Sequence, residues 1–140
     1  NPMDCPFRAM DAVLKTLPSQ IPVLVDFHAE ATSEKIAMGH YLDGRVAAVF
    51  GTHTHVQTND AVILPKGTAY ITDLGMTGPA VSVIGREIAP VLKKFTTGIP
   101  AKFEIARGPC VLEGAILELD RVSGRAVSLT PYRYREPAAG

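Results

Sequence analysis

The chain has 140 residues, 46% hydrophobic and 20% charged. That balance fits one globular domain with a real core and argues against disorder. Fourteen Lys plus Arg offset fourteen Asp plus Glu, so no global basic field draws nucleic acid or an anionic membrane. No apolar run approaches the roughly 20 residues of a membrane span, nor does the sequence show a secretory signal; the expected setting is cytoplasmic, on the strength of the two cysteines. Cys5 and Cys110 lie far apart with no Cys-x-x-Cys spacing. They are expected as unpaired thiols, with one long-range disulfide as the alternative.

Asn1-Pro2-Met3-Asp4-Cys5-Pro6 reads as a loop arriving from an upstream segment, so a piece of a longer protein is expected. Phe7, Met10, Val13, Leu14 and Leu17 have helical spacing, with Pro6 at the first turn and Pro18 as the stop. Ile21–Phe27 is expected to be a buried strand. Thr32-Ser33-Glu34-Lys35 offers a capping residue before a helix carrying Ile36, Met38, Tyr41 and Leu42, and Gly44 ends it. Arg45–Phe50 is the next strand, and this β-α-β order implies parallel pairing. Ala61–Leu64 and Thr68–Asp73 read as strands around the turn Pro65-Lys66-Gly67. A loop, Gly75-Met76-Thr77-Gly78-Pro79, follows. Ile88, Val91, Leu92 and Phe95 mark a helix with Pro90 in its first turn. Strands are expected at Lys102–Ala106, Cys110–Leu119 and Arg125–Tyr134, the last pair joined through Ser123-Gly124 and antiparallel. The fold class is a layered α/β domain with a mixed sheet whose carboxyl-terminal strands are antiparallel.

Three histidines carry the chemistry. His28 follows the apolar run Val23–Phe27, while His53 and His55 follow Val46–Phe50 in Gly51-Thr52-His53-Thr54-His55. Ligands gather at the carboxyl ends of strands in open α/β sheets, so two adjacent strands would bring three imidazoles into one crevice. Neutral imidazole ligates several divalent metals, and three could hold one catalytic zinc or half of a two-metal site. The blander alternative is a hydrogen-bonded core His28 and two ordinary loop histidines. Asp26 and Glu30 flank His28 and could orient its ring, or simply meet water. Asp73 ends another apolar strand and could line the same crevice, or start a turn. His40 falls on the polar side of its helix and reads as a surface residue. No Ser/His/Asp elbow, phosphate-cradling glycine loop or other general base accompanies the histidines.

Val25-Asp26-Phe27-His28-Ala29-Glu30, then Tyr41-Leu42-Asp43-Gly44-Arg45-Val46, then Gly51-Thr52-His53-Thr54-His55-Val56-Gln57-Thr58, then Thr68–Pro79 resemble the YmdB branch of the calcineurin-like metallophosphoesterases. The resemblance implies a four-layer α/β/β/α sandwich, of which residues 1–140 form a single carboxyl-terminal portion. It implies a two-metal phosphodiesterase, with iron, manganese or zinc as the ions. Small phosphodiesters such as 2′,3′-cyclic nucleotides are the implied substrates, and homo-oligomers the implied assembly. It transfers metal ligation onto His28, His53 and His55. The remaining ligands (an early Asp, a Glu-Asn pair and a further Asn) and the histidine acid next to that Asn are implied to lie before Asn1. The amino-terminal half is thus an implied partner, and no catalytic acid is assigned in this chain, which alone is expected to be inactive. The alternatives are a non-catalytic interaction module with a partial metal site and a self-sufficient three-histidine zinc hydrolase.

Overall fold

The structure is a computed structural model that describes residues 4–18 and 20–137; the Asn1–Met3 part of the expected leading loop lies outside the described residues. Helix α1 (Pro6–Thr16) begins with Pro6 at its first position, where the missing N–H costs nothing. Its apolar stripe, Phe7, Met10 and Leu14, packs on the main core. Strand β1 (Leu24–His28), helix α2 (Thr32–Leu42) and strand β2 (Ala48–Thr52) follow, and β1 pairs with β2 in parallel. Strands β3 (Val62–Ile63) and β4 (Ala69–Ile71) are antiparallel to each other, and β4 runs parallel to β2. The first sheet is therefore mixed, in the order β1-β2-β4-β3.

A second, antiparallel sheet holds β5 (Thr77–Pro79), β6 (Cys110–Leu119) and β7 (Ala126–Arg135) in that order, with helix α3 (Ile88–Thr97) between β5 and β6. The expected antiparallel strands thus form their own sheet, with β7 lying against β3 and β4. Two facing sheets are the arrangement expected of half an α/β/β/α sandwich. The core is Val25, Met38, Leu42, Val46, Val49, Leu64 and Tyr70, between α2 and the central strands. Both cysteines are free thiols. Among the described residues, no helix is long and apolar enough to cross a membrane.

Five sequence expectations need correction. Strand β1 is not buried: it is an edge strand, and only Val25 of its five residues is buried. The α2 cap position is Ala31, with no side-chain hydrogen bond, rather than Thr32 or Ser33. The buried stripe of α2 is Lys35, Met38, Gly39 and Leu42, while Ile36 and Tyr41 face outward. Lys102–Ala106 makes only a single bridge, Ile105 to Arg86; the backbone opposite turns into α3 at Ile88 and offers no further ladder. The Gly75–Pro79 loop, conversely, contains β5, whose Pro79 is tolerated on an edge strand.

Candidate metal centre

The parallel pairing of β1 and β2 sets the site. His28 stands opposite Thr52 in register, so the two strands end side by side and His53 follows at once. Asp26 and His28 project to the same side of β1 because strand side chains repeat every two residues. Thr52 Oγ1 donates to Asp26 Oδ1 at 2.8 Å and lies 3.1 Å from His28 Nδ1. Since the carboxylate only accepts, the threonine hydroxyl gives its hydrogen to Asp26 and accepts from the His28 Nδ1–H. Hydrogen-bond bookkeeping therefore leaves His28 Nε2 unprotonated, an acceptor. That nitrogen lies 3.3 Å from His53 Nδ1, with the two rings edge-on.

The loop that carries His53 and His55 is held under strain. Their φ values are 131° and 61°, which non-glycine residues rarely adopt and which cluster at functional sites. Two features impose this path. Gly51 lies so close to the segment after β4 that a Cβ there would stand 1.7 Å from the Thr72 carbonyl oxygen, so only glycine fits. Below the loop, Asp73 Oδ2 accepts from the Thr54 amide at 2.9 Å and from Lys35 Nζ at 2.8 Å, while Oδ1 accepts from the Gly75 amide at 3.0 Å. Lys35 and Asp73 are 1% and 0% exposed, so this ion pair is shut off from water. Burial pushes the Asp73 carboxyl up, but the Lys35, Thr54 and Gly75 hydrogen bonds outweigh it and hold the group below the ordinary aspartate value.

His28, His53 and His55 line one cavity of about 460 Å³, together with Thr52, Gly75–Pro79, Ile84–Arg86 and Ile105. His55 turns its Nδ1 toward the Ile84 carbonyl, 3.2 Å away. Asp26 orients His28 through Thr52. Asp73 does not line the cavity; it braces the histidine loop from beneath. Glu30 is exposed and contributes no contact to the cluster, and His40 is exposed on α2. Sequence reasoning missed Thr52, Lys35 and Ile84. Lys35 had a readable signal: it shares the helical i, i+3, i+4, i+7 stripe with Met38, Gly39 and Leu42. Thr52 becomes visible only once the β1/β2 register is known.

The donor chemistry fits a divalent metal. Two imidazole nitrogens 3.3 Å apart are spaced as ligands about 2.1 Å from a common ion would be, and carboxylate-backed imidazoles are typical of such ligands. Among the described residues, no three His, Cys, Asp or Glu side chains come together as a ligand set.

The family model described as "YmdB-like protein" matches residues 1–132. A 2′,3′-cyclic-nucleotide 2′-phosphodiesterase of Bacillus subtilis (strain 168) is 48% identical over 129 residues, covering 91% of this chain and 49% of that protein. The crystal structure of a hypothetical protein from Thermus thermophilus superposes with a TM-score of 0.87 at 51% identity, covering 98% of this chain and 53% of that one. That of a novel phosphatase from Mycoplasma pneumoniae gives 0.89 at 36% identity, with 99% and 50% covered. The chain spans about half the length of the relatives it matches. With the family model matching nearly end to end, the chain belongs to the YmdB-like family.

Proposed function

We propose that this chain is the histidine-bearing half of a metal-dependent phosphodiesterase acting on small phosphodiesters of the 2′,3′-cyclic nucleotide kind. The observation that carries the reading is the meeting of His28 Nε2 and His53 Nδ1 at 3.3 Å in a cavity shared with His55. The similarity to a cyclic-nucleotide phosphodiesterase and to a phosphatase supports the reaction class. A cavity of about 460 Å³ has room for a nucleotide-sized ligand.

In this reading His28, His53 and His55 hold metal, Asp26 and Thr52 fix the His28 ring, and the Lys35–Asp73 pair fixes the loop between the ligands. Two divalent ions, when bound, supply positive charge to the phosphoryl and leaving oxygens of the diester. Iron, manganese and zinc all accept imidazole. The Gly75–Pro79 and Ile84–Arg86 segments form the wall against which the organic part of the substrate rests. The remaining ligands and the proton donor come from the part of the protein that its longer relatives carry beyond the matched half. The reading also includes a cytoplasmic setting, consistent with two free thiols, and assembly into homo-oligomers.

Elemental analysis of the protein at its full encoded length tests the metal reading. Two ions per chain are expected, with His53→Ala losing at least one and lowering turnover of bis-p-nitrophenyl phosphate by more than the 10–100-fold typical of outer-shell changes. A second reading, a non-catalytic interaction module, draws on the lack of a three-residue ligand set among the described residues. Absence of bound metal from the full-length protein would decide for it.

A further inference from the structure

Opposite the histidine loop, Val83–Arg86 makes a two-residue hairpin turn: the Val83 amide donates to the Arg86 carbonyl at 2.9 Å and the Arg86 amide returns the bond at 3.0 Å. Both central residues have positive φ, 45° at Ile84 and 95° at Gly85, the geometry for which Asn-Gly is preferred. A β-branched residue in the first position is a real outlier, so the surroundings must enforce it. They do so from three sides. Ser82 Oγ donates to the Pro79 carbonyl at 2.7 Å and accepts the Gly85 amide at 2.9 Å. The Ala106 amide donates to the Gly85 carbonyl at 3.0 Å, and Arg86 bridges to Ile105. What this leaves is the Ile84 carbonyl, aimed at His55 Nδ1 from 3.2 Å.

We propose that the Val83–Arg86 turn is the positioning device for His55: its strained Ile84 carbonyl fixes the ring in the Nδ1–H form and so keeps the Nε2 lone pair for the cavity. The logic rests on acceptor chemistry, since a carbonyl can only accept and the neutral ring must then carry its proton on Nδ1. As a contribution to metal binding, the device rests on the reading of the cavity as a metal site. It parallels the Thr52 contact of His28, with a backbone group in place of the hydroxyl. Ligand imidazoles are commonly oriented this way, and loss of such a partner lowers metal affinity about 10–100-fold. The device also ties His55 to the second sheet, because Ser82 links the turn back to Pro79 on β5.

The test is nitrogen-15 spectroscopy of the histidine rings in the metal-free, full-length protein under conditions where they are neutral, with His55 assigned from a His55→Gln variant. His55 should show the Nδ1–H form. Gly85→Val, which cannot easily adopt φ of 95°, should shift it toward the Nε2–H form and weaken Mn²⁺ or Zn²⁺ binding about 10–100-fold. Ile84→Asn, which suits positive φ and keeps the carbonyl, should retain the Nδ1–H form. If Gly85→Val does not fold, Ser82→Ala removes one brace and should give a mixture. An Nε2–H ring in the unaltered protein, or a folded Gly85→Val or Ser82→Ala with an unchanged ring, overturns the proposal. Nδ1–H in a protein that takes up no metal would instead overturn the metal reading and leave the turn's hold on His55 standing.

Discussion

Asp73 illustrates how much of this site is carried by residues that never touch a ligand. Its carboxylate neutralises a lysine that is itself 1% exposed and caps the amide of Thr54, the residue between the two loop histidines. Replacing it with asparagine leaves the Lys35 ammonium buried without a counter-charge, which costs about 3–5 kcal/mol. Asp73→Asn should lower the urea midpoint accordingly, and Lys35→Met combined with Asp73→Asn should recover most of the loss. A single variant within about 1 kcal/mol of the parent would refute the role. A carboxyl held low in the fold stabilises it above its unfolded value, about 3.9, and that contribution disappears as pH falls through the folded value. The protein should therefore lose stability below about pH 4, and Asp73→Asn should lose less over the same window. The three histidines were legible in the sequence because apolar runs ended on them. Lys35 was legible only in its position on the buried stripe of α2, and its role stays hidden until its partner, 38 residues away, is known.

At the scale of elements, the spacing of β2 and the segment after β4 decides where the histidines stand. Gly51→Ala would drive a methyl group to 1.7 Å from the Thr72 carbonyl oxygen and 2.8 Å from Lys35 Cδ. The first obstacle is backbone and cannot rotate away. The cost should exceed the usual overpacking penalty of about 1–3 kcal/mol, read as a loss of thermal stability together with a loss of metal uptake. Near-parental stability would mean that the two segments can part without consequence. The parallel β1-β2 pair and the β6-β7 hairpin were readable from apolar runs and turn residues. Two elements were not. Lys102–Ala106 alternates like a strand yet finds only Arg86 to bridge, and Thr77–Pro79 looks like a loop yet completes a sheet edge. Strand formation depends on a partner's free edge, which local sequence does not encode.

For the molecule as a whole, the histidine cluster lies at one margin of the first sheet. His28, the third histidine of the cluster in space, sits on β1, and β1 is the outermost strand of its sheet. The chain alone should therefore bind metal weakly and turn over bis-p-nitrophenyl phosphate little or not at all. Turnover by the 140-residue chain that His53→Ala abolishes would show that it needs no complement.

The uncovered edge of β1 has a second consequence, one of colloidal behaviour. A row of free backbone amides and carbonyls templates pairing with any extended segment, including another copy of the same strand. Leu24, 53% exposed at one end of β1, adds an apolar attraction, and Asp26 is the one acidic guard along its length. Left bare, such an edge would make the chain prone to self-association into sheet-extended aggregates.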